Sequence, residues 1–153
     1  MIKDVVVKEI VTHWDERGFF RELLNKKDND FFKPGIAQWS LSIMYPGVIK
    51  AWHIHKIQFD WWYVGNGVLK VALYDKREDS STYGQLMEFM LGEGRPPMVV
   101  KIPPGVAHGC KCISGPSQLF YLTSNSYNPE DEGRIPHDDP EIGYDWLKPP
   151  PIT

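Results

Sequence analysis

The chain has few cysteines, little helical patterning and no long apolar run. Its 153 residues contain no stretch near the roughly 20 apolar residues that a membrane span needs. The N-terminus also lacks the apolar core of a signal peptide. The formal charge is −3 without a basic stripe, so we expect no nucleic-acid partner. These absences predict a cytoplasmic protein with no membrane partner, and the length suits one domain over residues 1–153.

The two cysteines, Cys110 and Cys112, lie two residues apart on a predicted strand. This spacing is poor geometry for a disulfide, and disulfides are rare in the cytoplasm. We therefore expect two reduced, packed side chains rather than a disulfide, metal ligands or nucleophiles.

Short β-branched and aromatic runs follow one another along the chain, separated by Gly and Pro. This even spacing is typical of a β-sandwich or barrel. The predicted strands cover residues 4–12, 18–24, 36–44, 48–55, 59–64, 68–74, 85–91, 98–102, 107–113 and 118–124. The triplet Gly65-Asn66-Gly67 suits a tight hairpin turn. A short helix is predicted near residues 26–31, and the segment after Tyr127 is predicted to be an ordered, irregular tail.

His53 and His55 form the most informative pattern in the sequence. Residues i and i+2 of a strand point to the same face, so both imidazoles project into whatever the sheet encloses. A third histidine, His108, follows the turn Pro103-Pro104-Gly105. We expect the three imidazoles to converge on one pocket inside a small β-barrel.

The spacing of these residues resembles the two signature motifs of the cupin superfamily. Gly47-x5-His53-x-His55-x4-Asp60-x6-Gly67 is similar to the first motif, with Asp60 for the usual Glu. Pro103-x-Gly105-x2-His108 is similar to the second, with Cys112 where Asn is usual. The resemblance implies an all-β fold, the cupin double-stranded β-helix or jelly-roll barrel, in one domain with an irregular C-terminal tail.

A narrower resemblance covers residues 2–147. Seven motifs resemble, in order, those of the dTDP-4-dehydrorhamnose 3,5-epimerase family. They include Asp15-Glu16-Arg17-Gly18-Phe19-Phe20-Arg21-Glu22, Gln38-Trp39-Ser40-Leu41-Ser42, Asp75-Lys76-Arg77 through Gly84, Ile102-Pro103-Pro104-Gly105-Val106-Ala107-His108-Gly109, and the downstream markers Tyr121, Tyr127, Pro129, Glu132, Asp139-Pro140 and Trp146. Together they indicate fold and ancestry more strongly than activity.

The resemblance implies an epimerase or ketoisomerase of a nucleotide-linked 4-keto-6-deoxy sugar. Epimerisation next to a ketone needs a base, a proton donor on the opposite face and a means of stabilising the enolate. By position, His53 matches the family's base and Tyr121 its acid. The residues expected to bind the substrate are Arg17, Glu22, Gln38, Lys50, His55, Asp60 and His108. The resemblance implies no metal or other cofactor.

The sequence departs from the family pattern at two positions. Asp60 occupies the place of the enolate-stabilising Lys, and a carboxylate there raises the energy of an enolate unless a cation lies between them. The sequence also ends at Thr153, before the C-terminal Asp that orients the base in longer relatives. Asp138 or Asp139 is a candidate substitute for that Asp.

Two interpretations of Asp60 remain open. In one, His53, His55, Asp60 and His108 bind a divalent transition metal, which acts as Lewis acid for the enolate. In the other, His55 and Asp60 form a hydrogen bond in a metal-free pocket. The family resemblance favours the metal-free pocket.

Three hypotheses follow for the function. They are a metal-independent epimerase or ketoisomerase, which we prefer, a metal-dependent cupin such as a sugar isomerase or oxygenase, and a non-catalytic module that binds nucleotide sugars. The resemblance also implies a homodimer with an exchanged N-terminal strand, so that Arg17 or Glu22 serves the neighbouring site. The apolar run at residues 5–11 is compatible with exchange because an exposed edge strand is a template for pairing. Asp75 and Arg77 are expected to form a structural ion pair.

Overall fold

The computed structural model describes residues 1–149, which form ten strands and one 3-10 turn. The strands are β1 (Val6–Glu9), β2 (Thr12–Asp15), β3 (Gly18–Arg21), β4 (Gln38–Met44), β5 (Ile49–His55), β6 (Asp60–Asp75), β7 (Leu86–Gly92), β8 (Met98–Ile102), β9 (Val106–Thr123) and β10 (Glu132–Arg134). The predicted helix is the 3-10 turn Lys26–Asp28, capped by the Asn25 side chain. Within the described residues, no helix is long and apolar enough to cross a membrane.

Two long antiparallel strands, β6 and β9, connect the two walls of a jelly roll. The first half of β6 pairs with the second half of β9, around Asp60–Thr123. Strands β8 and β1 extend this sheet beyond β6, and β4 extends it beyond β9. The second half of β6 pairs with the first half of β9, around Leu73–His108. Strand β7 extends this sheet beyond β6, and β5 and β10 extend it beyond β9. We call these the β4 wall and the β5 wall. The predicted all-β jelly-roll fold is confirmed.

The predicted hairpin at Gly65-Asn66-Gly67 is wrong. The triplet lies inside β6, where the register against β9 shifts between Val64 and Leu69. Gly67 has a φ of +71°, and a Cβ there would lie 2.5 Å from the Ser114 carbonyl oxygen. The glycine therefore allows a close-packed irregularity that carries the strand from one wall to the other. The strand that pairs with β6 is also continuous: the two strands predicted at 107–113 and 118–124 are parts of one strand, β9.

Apolar side chains fill the space between the walls and cover the outer face of β5. The principal cluster contains Leu69, Val71, Leu73 and Val100, each with 1% exposure or less. Burying a side chain of this size contributes about 1.5–3 kcal/mol. A second cluster packs Trp52 against Trp146 from the tail, with ring centroids 5.0 Å apart. The two clusters fix the tail across the back of β5.

Near both ends of the chain, the strands differ from those that the sequence predicts. The predicted strand at residues 4–12 divides into β1, which pairs with β8 of the same chain, and β2, which forms a separate hairpin with β3. The predicted irregular tail contains β10, which pairs with β5. Residues 150–153 of that tail lie outside the described residues. The position of β10 beside β5 determines much of the site.

Candidate active site

A cavity of about 290 Å³ opens between the two walls. Pockets for small ligands typically begin at this size. The β4 wall lines it with Gln38, Ser42, Asp60, Trp62, Leu119, Tyr121 and Thr123, and the β5 wall with Lys50, His53, His55, His108, Cys110, Glu132 and Arg134. Gln58, Tyr127 and Asn128 come from connecting segments.

The three histidines converge in this cavity, as their spacing predicts. His53 and His108 face each other directly across β5 and β9. The centroid of the His108 ring lies 6.3 Å from that of His53 and 5.6 Å from that of His55. All three fit within the width of one sugar-sized cavity.

His108 is a buried, neutral imidazole. Burial lowers its pKa to about 4, although the nearby Asp60 carboxylate opposes this shift. Its Nδ1 lies 3.0 Å from the Val106 carbonyl oxygen, which can only accept, so Nδ1 carries the proton. The lone pair of Nε2 then faces the Asp60 Oδ2 atom at 3.8 Å. Two acceptors therefore face each other, and this arrangement favours a proton donor or a cation between them.

Asp60 is held by neutral donors. The Gln58 side-chain amide donates to its Oδ1 atom at 2.8 Å, and the Trp62 indole donates to its Oδ2 atom at 3.2 Å. His55 Nε2 lies 4.0 Å from Oδ1, too far for a hydrogen bond, and the Gln58 amide nitrogen lies 3.3 Å from the same imidazole atom. The predicted direct hydrogen bond between His55 and Asp60 is wrong, because Gln58 contacts both groups.

Asp131 fixes the loop between β5 and β6. Its carboxylate accepts hydrogen bonds from the backbone N–H groups of Lys56, Ile57 and Gln58 at 2.9–3.2 Å. Its Oδ2 atom lies 3.7 Å from His55 Nδ1, a buried nitrogen to which the described part of the chain offers no hydrogen-bond partner. The loop therefore sets the positions of both His55 and Gln58.

His53 contacts a carboxylate that lies in the predicted irregular tail. Its Nδ1 atom lies 3.2 Å from Oε1 of Glu132 on β10. Burial lowers the pKa of His53, the Glu132 charge opposes that shift, and Arg134 and His55 add to it. A lowered pKa keeps this imidazole neutral near pH 7, the form in which it can accept a proton.

Three further residues predicted for the site line the cavity. Tyr121 and Gln38 approach from the β4 wall, and Lys50 from the β5 wall. The Lys50 ammonium donates to the Ser42 hydroxyl at 2.7 Å, and the Gln38 amide donates to the Ser40 hydroxyl at 2.9 Å. These contacts place a cation and an amide near the edge of the cavity.

Arg17 and Glu22 lie outside the cavity of their own chain. The Arg17 side chain is 84% exposed on the β2–β3 hairpin and pairs with Asp15. Glu22 pairs with Lys27 at 3.4 Å. The structure of one chain therefore does not bring either residue to the pocket.

The candidate orienting residues Asp138 and Asp139 do not contact the base. Asp138 lies 3.9 Å from His137, and Asp139 accepts from the backbone of Glu141 and Ile142. The prediction that one of them replaces the missing Asp is wrong. In the sequence, Glu132 stands out only as one of the family's downstream markers, and nothing there shows that its carboxylate faces His53.

Three residues could hold a metal ion. Ligand atoms of His55, Asp60 and His108 all lie within 4.8 Å of one another. His53 is outside this group, so the predicted four-ligand set reduces to three. Two imidazoles and one carboxylate suit Zn²⁺ or another divalent transition metal, with an open position toward the cavity.

The two cysteines behave as packed side chains. Both are free and buried, and burial raises the pKa of Cys110 to about 12. A thiol with so high a pKa is a poor nucleophile and a poor ligand at neutral pH. Both side chains are buried, as expected for packed cysteines.

Comparison with known proteins identifies the family. The family model for dTDP-4-dehydrorhamnose 3,5-epimerase matches residues 1–153. A spore coat polysaccharide biosynthesis protein of Bacillus subtilis is 47% identical over 149 residues, covering 95% of this chain and 97% of the relative. A dTDP-4-dehydrorhamnose 3,5-epimerase of Methanothermobacter thermautotrophicus is 32% identical, covering 92% of this chain and 78% of the relative. The chain belongs to the dTDP-4-dehydrorhamnose 3,5-epimerase family.

A solved structure extends the comparison to the fold. The dTDP-6-deoxy-D-glucose-3,5-epimerase of Legionella pneumophila, in complex with dTDP-4-keto-L-rhamnose, superposes with a TM-score of 0.86 at 27% identity. The alignment covers 99% of this chain and 83% of the other. The two proteins therefore share one architecture over the aligned part of each chain.

Proposed function

We propose that this protein epimerises a dTDP-linked 4-keto-6-deoxy sugar by removing and returning a proton next to the ketone. Residues 1–153 act as one domain in this proposal. The main support is one observation: His53 and Tyr121 line the same cavity from facing walls. A base and an acid on opposite sides of a bound ring are the arrangement that inversion at carbon requires.

His53 takes the proton from carbon, and the electron pair of the broken C–H bond moves onto the ketone oxygen to give an enolate. The Tyr121 hydroxyl then gives its proton to the opposite face, and the electron pair returns to carbon. Exchange with solvent afterwards removes the proton from His53 and restores the one on Tyr121. Solvent hydrogen therefore enters the sugar at each inverted centre.

The test is turnover of dTDP-4-keto-6-deoxyglucose in D₂O, followed by NMR. We expect deuterium next to the ketone, with loss of about 10²–10⁴-fold in rate in His53→Ala, the range for removing a general base. Tyr121→Phe is expected to exchange without inversion, since His53 can return deuterium only to the face it deprotonated. His137→Ala, which removes an exposed histidine, is the matched control. Complete turnover without deuterium in the sugar would overturn the proposal, and binding without exchange would support a non-catalytic module.

We propose that the reaction needs no metal. Metal-dependent catalysis is the second candidate, and its support is the group of His55, Asp60 and His108, in which a bound ion would stabilise the enolate as Lewis acid. Elemental analysis of protein purified without added metal or chelator separates the two. Near one equivalent of metal, lost in Asp60→Asn together with turnover, would support the metal. Well below one equivalent, with exchange unchanged by EDTA, would eliminate it.

We propose that the protein works as a homodimer. The outer face of β4 leaves Trp39, Leu41 and Ile43 exposed by 71%, 50% and 53%, and the β2–β3 hairpin exposes Trp14 and Phe20. Apolar surface of this extent is typical of a protein–protein interface. Because β1 pairs with β8 of its own chain, the predicted exchange of that strand is not seen, and we propose instead that the β2–β3 hairpin and the residues after it carry Arg17 or Glu22 to the neighbouring cavity.

Light scattering at micromolar concentration tests the dimer. We expect twice the mass of the chain for the native protein and a monomer for a Trp39→Glu, Leu41→Glu double variant. A native monomer would contradict the proposal.

We also propose that the protein works in the cytoplasm, in the synthesis of a surface polysaccharide. The two unpaired cysteines support the compartment, and the spore coat relative supports the polysaccharide.

A further inference from the structure

A short strand from the tail brings a carboxylate to the candidate base. In the pairing of β10 with β5, Glu132 lies opposite His55 and Arg134 opposite His53. Residues directly opposite in an antiparallel pair share a face, and diagonal neighbours on that face are within reach of long side chains. Glu132 is the diagonal neighbour of His53, so its side chain can extend along the cavity face to the imidazole.

The two side chains lie within ion-pair distance of each other. His53 Nδ1 lies 3.2 Å from Glu132 Oε1. The Glu132 side chain is 15% exposed, so water competes weakly for it. Arg134 donates to the same Oε1 atom from two guanidinium nitrogens, at 3.0 and 3.2 Å. The arginine thus fixes the carboxylate oxygen that faces the imidazole.

A carboxylate charge beside Nδ1 stabilises a proton on that nitrogen and repels a lone pair there, so the proton of a neutral His53 lies on Nδ1. The lone pair is then on Nε2, the other ring nitrogen. In a neutral imidazole, the partner of one nitrogen decides which nitrogen is basic. Glu132 therefore selects the tautomer of the base and limits rotation of its ring.

Other carboxylates near His53 have different partners. Asp131 accepts three backbone N–H groups, and Asp60 accepts from Gln58 and Trp62. Asp138 lies beside His137. Among the described residues, Glu132 is the carboxylate within ion-pair distance of His53.

We infer that Glu132 is the positioning residue of the active site: with its carboxylate beside Nδ1 of His53, it favours the Nδ1–H tautomer and presents Nε2 to the sugar as the base. The inference rests on the proposed function, in which His53 removes the proton. The same role of a carboxylate behind a histidine operates in serine protease triads, where its loss leaves the wrong tautomer and costs about 10⁴-fold in kcat.

The first experiment needs no substrate. ¹⁵N NMR of histidine-labelled protein at pH 8.5 reports which nitrogen of His53 is protonated. We expect the Nδ1–H form in the native protein and a shift toward the Nε2–H form in Glu132→Ala. Glu132→Gln keeps the size of the side chain and gives a second reading if the alanine variant folds poorly. Glu130→Gln, an exposed neighbour with the same change of charge, is the control.

The second experiment measures deuterium exchange in the same variants. We expect kcat to fall on the order of 10²-fold in Glu132→Ala and less in Glu132→Gln, with KM changed by less than about threefold, because the residue acts on the base rather than on binding. A rise in KM with unchanged kcat would make Glu132 a binding residue and overturn the inference.

The two experiments separate failure of this inference from failure of the proposed function. An Nε2–H form in the native protein, or an unchanged tautomer in both Glu132 variants, would overturn the role of Glu132 even if the enzyme is active. Absence of exchange in the native protein with its Nδ1–H tautomer intact would overturn the epimerase proposal, and with it the role of Glu132 in catalysis.

Discussion

The strand β6 begins and ends with a buried aspartate, and the two carboxylates have very different surroundings. Asp75, with no exposed surface, accepts two hydrogen bonds from the Arg77 guanidinium and one each from the hydroxyls of Ser80 and Thr82, all at 2.6–2.9 Å. Asp60, 5% exposed, accepts from two neutral donors and faces two imidazoles.

The difference separates a structural carboxylate from one in a reactive site. Burial alone would raise the pKa of Asp75, but the bonds from Arg77, Thr82 and Ser80 outweigh burial and hold the pKa well below its usual range. Its acceptor positions are filled, so nothing remains for a ligand. Among residues 1–149, Asp60 has no Lys or Arg partner, and it shares the cavity with His108, whose free lone pair faces it. Such a group can respond to whatever enters the cavity.

The largest expected effect is on stability. Asp75→Asn removes the charge that pairs with the partly buried Arg77, and losing one partner of a buried ion pair costs about 3–5 kcal/mol in the free energy of unfolding. Asp60→Asn removes a charge that lacks a cationic partner, so we expect a change within about 1 kcal/mol. Urea denaturation measures both. Equal losses at the two positions would erase the distinction between them.

The sequence predicts the Asp75–Arg77 pair and the shared face of His53 and His55, because both follow from short-range rules. The approach of His108 is a long-range contact, and it was predicted only from the resemblance of its motif to that of a known fold. Alternation along a strand places His53 and His55 on one face, and charges two residues apart at a strand end can meet. Contacts between side chains that the path of the chain brings together are harder to predict from the sequence. The Gln58 amide contacts His55 and Asp60 because of the loop that Asp131 fixes, and no periodicity shows that loop.

The continuity of β6 and the role of β10 also could not be predicted from the sequence. Gly65-Asn66-Gly67 has the chemistry of a hairpin turn, and only pairing with β9 on both sides of it shows that the strand continues. The tail is rich in Pro and acidic residues, which masks a three-residue strand. Pairing with β5, a long-range contact, decides that Glu132 faces His53.

Acid is expected to act on the surroundings of Asp60 and on those of Asp75 in separate pH windows. His108 has a folded pKa of about 4, below the 6.5 of an unfolded histidine, so the unfolded state binds more protons between these values. Stability therefore falls as pH drops from 6.5 to 4, by about 3 kcal/mol. His53, whose pKa burial also lowers, adds a smaller contribution of the same sign. Asp75 stabilises above the unfolded value of about 3.9 and loses its contribution below it.

Denaturation at a series of pH values tests this separation. His108→Asn is expected to flatten the profile between pH 6.5 and 4 and leave the lower range unchanged. Asp75→Asn is expected to flatten only the range below pH 4. If either variant flattened the other's window, the two carboxylate environments would be coupled along the strand.

The smallest expected effect comes from single neutral donors. Thr82→Val removes the hydroxyl that donates to Asp75 at 2.6 Å, a bond to a charged group worth about 1.5 kcal/mol or somewhat more. Gln58→Met removes the amide that donates to Asp60 at 2.8 Å, and we expect a loss of less than about 1 kcal/mol because the carboxylate borders a cavity. Deuterium exchange should respond in the opposite order: unchanged in Thr82→Val and slowed in Gln58→Met, which releases both Asp60 and His55. A stable, fully active Gln58→Met would show that the amide merely fills space, and that the difference between the ends of β6 lies in Arg77 alone.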